Sequence, residues 1–159
     1  MTLIDKEPVK RVQKILKQFE INSKVDVLKS SARTALEAAK SLNCEVGAIV
    51  KSLLFKTEQN FILCLVAGDK KASLNKIKKI LNMKDISMAS ADDVKNVTGF
   101  TIGGVSPIGH LNKIEILIDL SLKRFDELFA AAGHPNCIFK ISFEDLSKIT
   151  NGSIIELVE

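Results

Sequence analysis

The chain has 159 residues and a formal net charge of +4, with 46% hydrophobic and 26% charged residues. That balance fits one globular domain over 1–159, argues against disorder, and leaves no apolar run near the roughly 20 residues needed to span a bilayer. Three widely separated cysteines, Cys44, Cys64 and Cys137, offer no disulfide framework or zinc spacing and point to a reducing cytoplasm.

The first residues, Met1 to Arg11, mix charges of both signs without an apolar core and do not read as a signal peptide. Pro8 suits a helix start, and Val9, Val12, Ile15, Leu16 and Phe19 follow at helical spacing, predicting an amphipathic helix to about Asn22. Alternation at Val25 and Val27 predicts a short strand. Thr34 followed by Glu37 has capping-box spacing for a helix to Leu42, with Ala35, Leu36, Ala38, Ala39 and Leu42 inward.

Residues 48–55 form an apolar run interrupted by Lys51 and Ser52. Glu58 to Asn60 reads as a hairpin turn into Phe61–Ala67, a strand apolar enough to be buried on both faces. A helix over 73–81 would turn Leu74, Ile77, Ile80 and Leu81 inward and its lysines outward. A short strand near 86–89 precedes Ser90, a cap for a helix over 91–96 with Asp92 and Asp93 at its positive end. Strands are predicted at 115–120, 137–141 and 154–158, and a helix at 142–149; residues 125–131 suit helix or strand. Five to seven strands with three to five helices make a mixed α/β (α+β) domain around one sheet.

The run Thr101 to His110 holds three glycines and Pro107 within seven residues, too kinked for regular structure. Glycine permits positive φ and close approach, while Pro107 stiffens the chain and pushes Ser106 toward an extended conformation. Such a loop is either a tight connection between strands or a wall of bare N–H and C=O groups that holds a ligand. Lys51 poses a similar choice. Its stem lies on the sheet while its head reaches solvent, or its ammonium points into a pocket toward a phosphate or carboxylate. The lysines between 70 and 84 are a solvated helix face or a phosphate footprint.

The common catalytic sets do not occur. His110 and His134 are the only histidines and have no metal-ligand spacing; no Gly-x-Ser-x-Gly elbow or phosphate-binding P-loop occurs. With no Trp or Tyr, base stacking would rest on eight Phe, which argues against a general RNA-binding module. An enzyme built from these residues holds and polarises a substrate that is already reactive.

Three segments in fixed order carry a resemblance: Val50-Lys51-Ser52-Leu53-Leu54-Phe55, Gly103-Gly104-Val105-Ser106-Pro107-Ile108-Gly109, and Ala132-Gly133-His134-Pro135-Asn136. Together they resemble the YbaK/EbsC family, which is similar to the editing insertion of bacterial prolyl-tRNA synthetases, over nearly the whole chain. The resemblance implies a curved, partly barrel-like mixed sheet flanked by helices. It implies a free-standing deacylase of mischarged aminoacyl-tRNA without a cofactor or metal.

It further implies Lys51, Gly103 and Gly104 as catalytic, the lysine at the terminal adenosine and the two glycines at the ester carbonyl and α-amine. Ser52, Val105, Ser106, Pro107, His134 and Asn136 would bind substrate, and Lys70, Lys71, Lys76 and Lys79 would meet tRNA. The implied partner is the acceptor end of an aminoacyl-tRNA, with an aminoacyl-tRNA synthetase as a second candidate and no membrane. The Gly-His-Pro-Asn segment departs from the pattern of the Cys-tRNA deacylases and leaves serine, threonine, alanine and cysteine open. The alternatives are a module that binds the same ligand without turnover, and an interaction domain in which the glycine run is only a turn.

Overall fold

The protein is described here by a computed structural model covering residues 2–159. Helix α1 (Glu7–Gln18) starts with Pro8 in its first turn and buries Val9, Val12 and Leu16. It stops one turn earlier than its apolar spacing predicts, because Glu20 takes a left-handed conformation at φ 55°. Helix α2 (Ala35–Leu42) is capped by Thr34, whose hydroxyl accepts from the Glu37 N–H at 3.1 Å. Leu36, expected inward, is exposed, since the short helix turns only Ala38 and Ala39 fully into the core.

Strands β2 (Val50–Lys56) and β3 (Phe61–Ala67) form the expected hairpin. β3 is buried along almost its whole length, which requires cover on both faces. One face belongs to the largest core cluster with α1; the other carries Ile62, Cys64 and Val66 against Ile77 of helix α3 (Leu74–Leu81). Of the four residues expected to point inward on α3, only Ile77 is fully buried, worth about 1.5–3 kcal/mol by transfer. Leu74 and Ile80 remain exposed.

The short strand β4 (Ser87–Met88) lies beside the end of β2, and Ser90 closes a complete capping box on α4 (Ala91–Thr98). Strand β5 (Glu115–Asp119) runs parallel to β3, and β8 (Ser153–Ile155) runs parallel to β5, giving the order β4-β2-β3-β5-β8. Asp119 is fully buried and accepts from the N–H groups of Leu157 (2.6 Å) and Ser121 (2.9 Å), fastening the C-terminal segment to the sheet. Helix α5 (Phe143–Thr150) sets Phe143, Leu146 and Ile149 into the core.

The ambiguous stretch resolves as strand β6 (Leu128–Ala131), which pairs with β7 (Cys137–Ile141), and β7 pairs in turn with β1 (Asp26–Val27). The mixed α/β architecture flanked by helices is therefore present. Among the described residues it has eight strands rather than five to seven, divided between a five-stranded and a three-stranded sheet, neither closed into a barrel. A parallel bridge from Ile49 to Phe129 joins the two sheets just before β2 begins.

Candidate active site at the free edge of β2

Three backbone hydrogen bonds fix which way each residue of β2 faces along the ladder. Ile49 C=O accepts from Gly68, Thr57 N–H donates to Asn60, and Leu54 C=O accepts from Ala89 on the opposite side. In an antiparallel pair these roles alternate. The odd-numbered residues 51, 53 and 55 therefore bond to β3, and 50, 52 and 54 turn their main chain away from it. On that outer side β4 pairs only with Phe55 and Lys56, with the Ala89 bond extending contact to Leu54. At the other end, the bridge to β6 lies at Ile49. Between these two attachments, among the described residues, no strand is paired with the outer edge of β2.

A cavity of about 340 Å³ fills that interval. Five consecutive β2 residues, Val50 to Leu54, line it. Because neighbouring side chains point to opposite faces of a sheet, contact with all five requires approach along the edge. Met88 and Ala89 bound one end, Ala131 and Ile138 the other, and α2 with its cap contributes Thr34, Ala35 and Ala38. Gly103 and Val105 of the glycine loop form a further wall. The two segments that looked unusual in the sequence thus meet at one cavity.

Lys51 lies opposite Val66 in the register and so leaves the strand on the α3 face, whereas Ser52 lies opposite Leu65 on the face of the main core. The Lys51 ammonium donates to the Lys70 carbonyl. Burial lowers its pKa from the usual lysine value, and the nearby Asp69 carboxylate partly opposes that shift. Asp69 is itself held in a two-pronged pair with Arg124 at 2.7 and 3.0 Å. The Ser52 hydroxyl is buried and has no hydrogen-bond partner among the described residues.

The loop is built for close approach. Gly103 adopts φ +94°, where a side chain would be strained. A Cβ at Gly104 would sit 2.9 Å from the backbone of His134, so the loop packs directly on the Gly133–Asn136 turn. The Gly104 N–H donates to the Thr101 carbonyl at 3.0 Å and is not free for a ligand. Ser106 is fully buried; its hydroxyl accepts from the Ile108 N–H (3.2 Å), and its carbonyl bonds the His110 ring at 2.7 Å. Ser106 and Pro107 stand behind the cavity wall, not on it.

His134 and Asn136 also do not line the cavity. The His134 ring accepts from the Asn136 N–H at 3.0 Å, and the Asn136 side chain donates to the Leu28 carbonyl at 3.1 Å, tying the turn to the segment before α2. Of the lysines, Lys70 provides the carbonyl for Lys51, Lys76 is bound to the Val158 carbonyl (2.6 Å), and Lys71 and Lys79 are exposed.

Two residues of this site carry no isolated motif. Arg11 on α1 donates to the carbonyls of Gly109 (2.9 Å) and Gly99 (3.0 Å) and lies 5.0 Å from the Phe100 ring, clamping both ends of the glycine loop. Arg33 is exposed, lines the cavity and touches the space above Gly103. On the sequence each is one cation among 23, and only the spacing of Thr34 and Glu37 marked the helix start beside Arg33.

Comparison with known proteins bears on the family and the fold. The model of the aminoacyl-tRNA editing domain matches residues 29–149. The uncharacterized protein YwhH of Bacillus subtilis is 32% identical over 143 residues, covering 89% of this chain and 90% of that protein. Proline–tRNA ligase of Bacillus licheniformis is 30% identical over 145 residues, covering 85% of this chain but 25% of the ligase. The chain thus spans a quarter or less of the prolyl ligases it matches, of which that of Caldicellulosiruptor saccharolyticus, at 31% identity, is covered over 19%. A crystal structure described as that of a candidate trans-editing enzyme for prolyl tRNA synthetase superposes with TM-score 0.91 at 35% identity, covering 97% of this chain and 98% of that one. With the matched segment taking in β2, the cavity and the glycine loop, the chain belongs to the aminoacyl-tRNA editing domain family.

Proposed function

We propose that this protein acts in trans, in the cytoplasm, to hydrolyse the ester of mischarged aminoacyl-tRNA carrying a small residue such as serine, threonine, alanine or cysteine. The observation that carries this reading is the shared cavity, which brings the β2 edge at Lys51 and Ser52 against Gly103 and Val105. An aminoacyl ester is already activated, so orientation and charge stabilisation suffice and no protein nucleophile is required. Water, assisted by the free ribose 2′-hydroxyl, adds to the ester carbonyl carbon. The ester C–O bond then breaks, the ribose oxygen leaves with a proton, and free amino acid and tRNA result.

In this reading Lys51 exchanges its Lys70 carbonyl for the terminal nucleotide, and Arg33 supports it from the segment just before α2. Gly103 supplies the close wall. Gly104, Ser106, Pro107, His134 and Asn136 act by holding that wall in place, which revises the direct contacts expected of them. Lys71 and Lys79 add electrostatic attraction for the tRNA backbone. The largely apolar lining distinguishes one methylene by only about 1–3 kcal/mol, which predicts activity on several related amino acids. A panel of tRNAs charged with serine, threonine, alanine, cysteine and proline, assayed for release of free amino acid, tests the reading. Release from at least one mischarged species is expected; tight binding without release from any would instead mark a non-catalytic module.

A further inference from the structure

The cavity coincides with a gap in a β-ladder. The outer edge of β2 is engaged by β6 next to Val50, through the parallel bridge centred on Ile49, and by Ala89 at Leu54, and Ser52 lies between them with its main chain turned away from β3. Ser52 therefore presents one N–H and one C=O to the strandless interval, the pair that a single residue of a neighbouring strand would satisfy. We propose that the aminoacyl group of the substrate fills this gap as the missing strand residue. Its α-ammonium donates to the Ser52 carbonyl, and its ester carbonyl accepts from the Ser52 N–H.

This rests on the deacylase reading and names the group that polarises the reacting carbonyl. The Gly104 N–H is already bonded to Thr101, which removes the glycine loop's most obvious donor and leaves the strand edge to supply one. The size fits as well. Ser52 is the one outward-facing residue between Val50, beside the β6 bridge, and Leu54, beside Ala89, and so short a free edge admits an amino acid and excludes a longer peptide running along the strand. The ammonium also gains from a site whose wall is main-chain carbonyl, where an uncharged acyl group would leave the Ser52 acceptor unpaired. Unacylated α-amines are thus part of the recognition, and an N-acetylated aminoacyl ester should be a poor substrate.

The test replaces Ser52 with its α-hydroxy acid, which converts the N–H at 52 into an ester oxygen while keeping the side chain. The carbonyl weakened by this change belongs to Lys51 and faces β3, so thermal unfolding reports any loss of the ladder separately. The expected result is a folded protein with kcat on its best ester lowered about 100-fold, the scale of losing one oxyanion donor. Wild-type rates in that variant would overturn the gap model while leaving the deacylase reading standing.

A second measurement does not depend on turnover. The non-hydrolysable 3′-alanylamino-3′-deoxyadenosine is added to the wild-type protein, and the Ser52 amide resonance should move downfield. An unmoved resonance with the analogue bound would also overturn the model. A moved resonance in a protein that hydrolyses no ester would keep the gap and remove the catalytic reading.

Discussion

Two cavities among the described residues make a contrast, and the larger of the pair is the less suited to chemistry. The larger, about 480 Å³, sits at the hairpin end of the sheet among Thr57, Asn60, Asn112, Lys113 and Glu115. Several of its polar groups are occupied: Asn60 N–H bonds the Thr57 hydroxyl, and the Asn112 amide bonds the carbonyls of Asn96 and Val97. The smaller cavity holds a strand edge without a strand, a buried serine hydroxyl without a partner and a lysine whose pKa burial has lowered. Volume follows from imperfect packing anywhere on a surface. Unspent hydrogen-bonding capacity in a sheltered place is costly unless a ligand uses it, and that separates the two.

The contrast predicts a graded series of effects. Lys51→Ala should lower single-turnover deacylation by about 100-fold or more, as expected for loss of a charge that meets the substrate, while the fold persists. Lys113→Ala, in the larger cavity, should leave the same assay unchanged; an equal loss there would erase the distinction. Gly104→Ala should cost about 1–3 kcal/mol in urea unfolding, because its methyl meets main chain that cannot rotate away. Activity should fall with it as the wall shifts.

Acidification tests the support behind the wall. Burial holds His110 below the usual histidine pKa, with its bond to the Ser106 carbonyl opposing and Arg11 adding to the shift. The unfolded chain therefore binds the proton first, and stability should fall as pH drops below about 6.5, the unperturbed value. His110→Gln should flatten that slope in thermal melts between pH 8 and 5. The smallest effect is expected from the exposed lysines: Lys71→Ala with Lys79→Ala should raise KM a few-fold and reduce its dependence on salt, leaving kcat alone.

Much of the framework was legible in the chain. Apolar runs marked the β2–β3 hairpin, and hydroxyls at Thr34 and Ser90 marked helix starts; these and the hydroxyls of Ser73 and Ser142 each accept from the third residue of the helix that follows. Glycine and proline density marked the loop, and a lone lysine in an apolar strand marked Lys51. These are local signals, carried by neighbours within a turn or a pleat. Leu36 and Leu74 misled for the same reason, since helical spacing gives a face but not what covers it.

The sequence by itself determined the elements, their caps and two suspicious segments, because propensity and periodicity act over a few residues. Tertiary structure alone decided that Arg11 clamps a loop nearly a hundred residues away, that the Gly104 N–H is already used, and that β4 ends before it can cover Ser52. Those outcomes depend on which strands lie side by side and where each pairing stops. Pairing is settled by the collective burial of faces contributed from distant parts of the chain, and no short window of residues contains it.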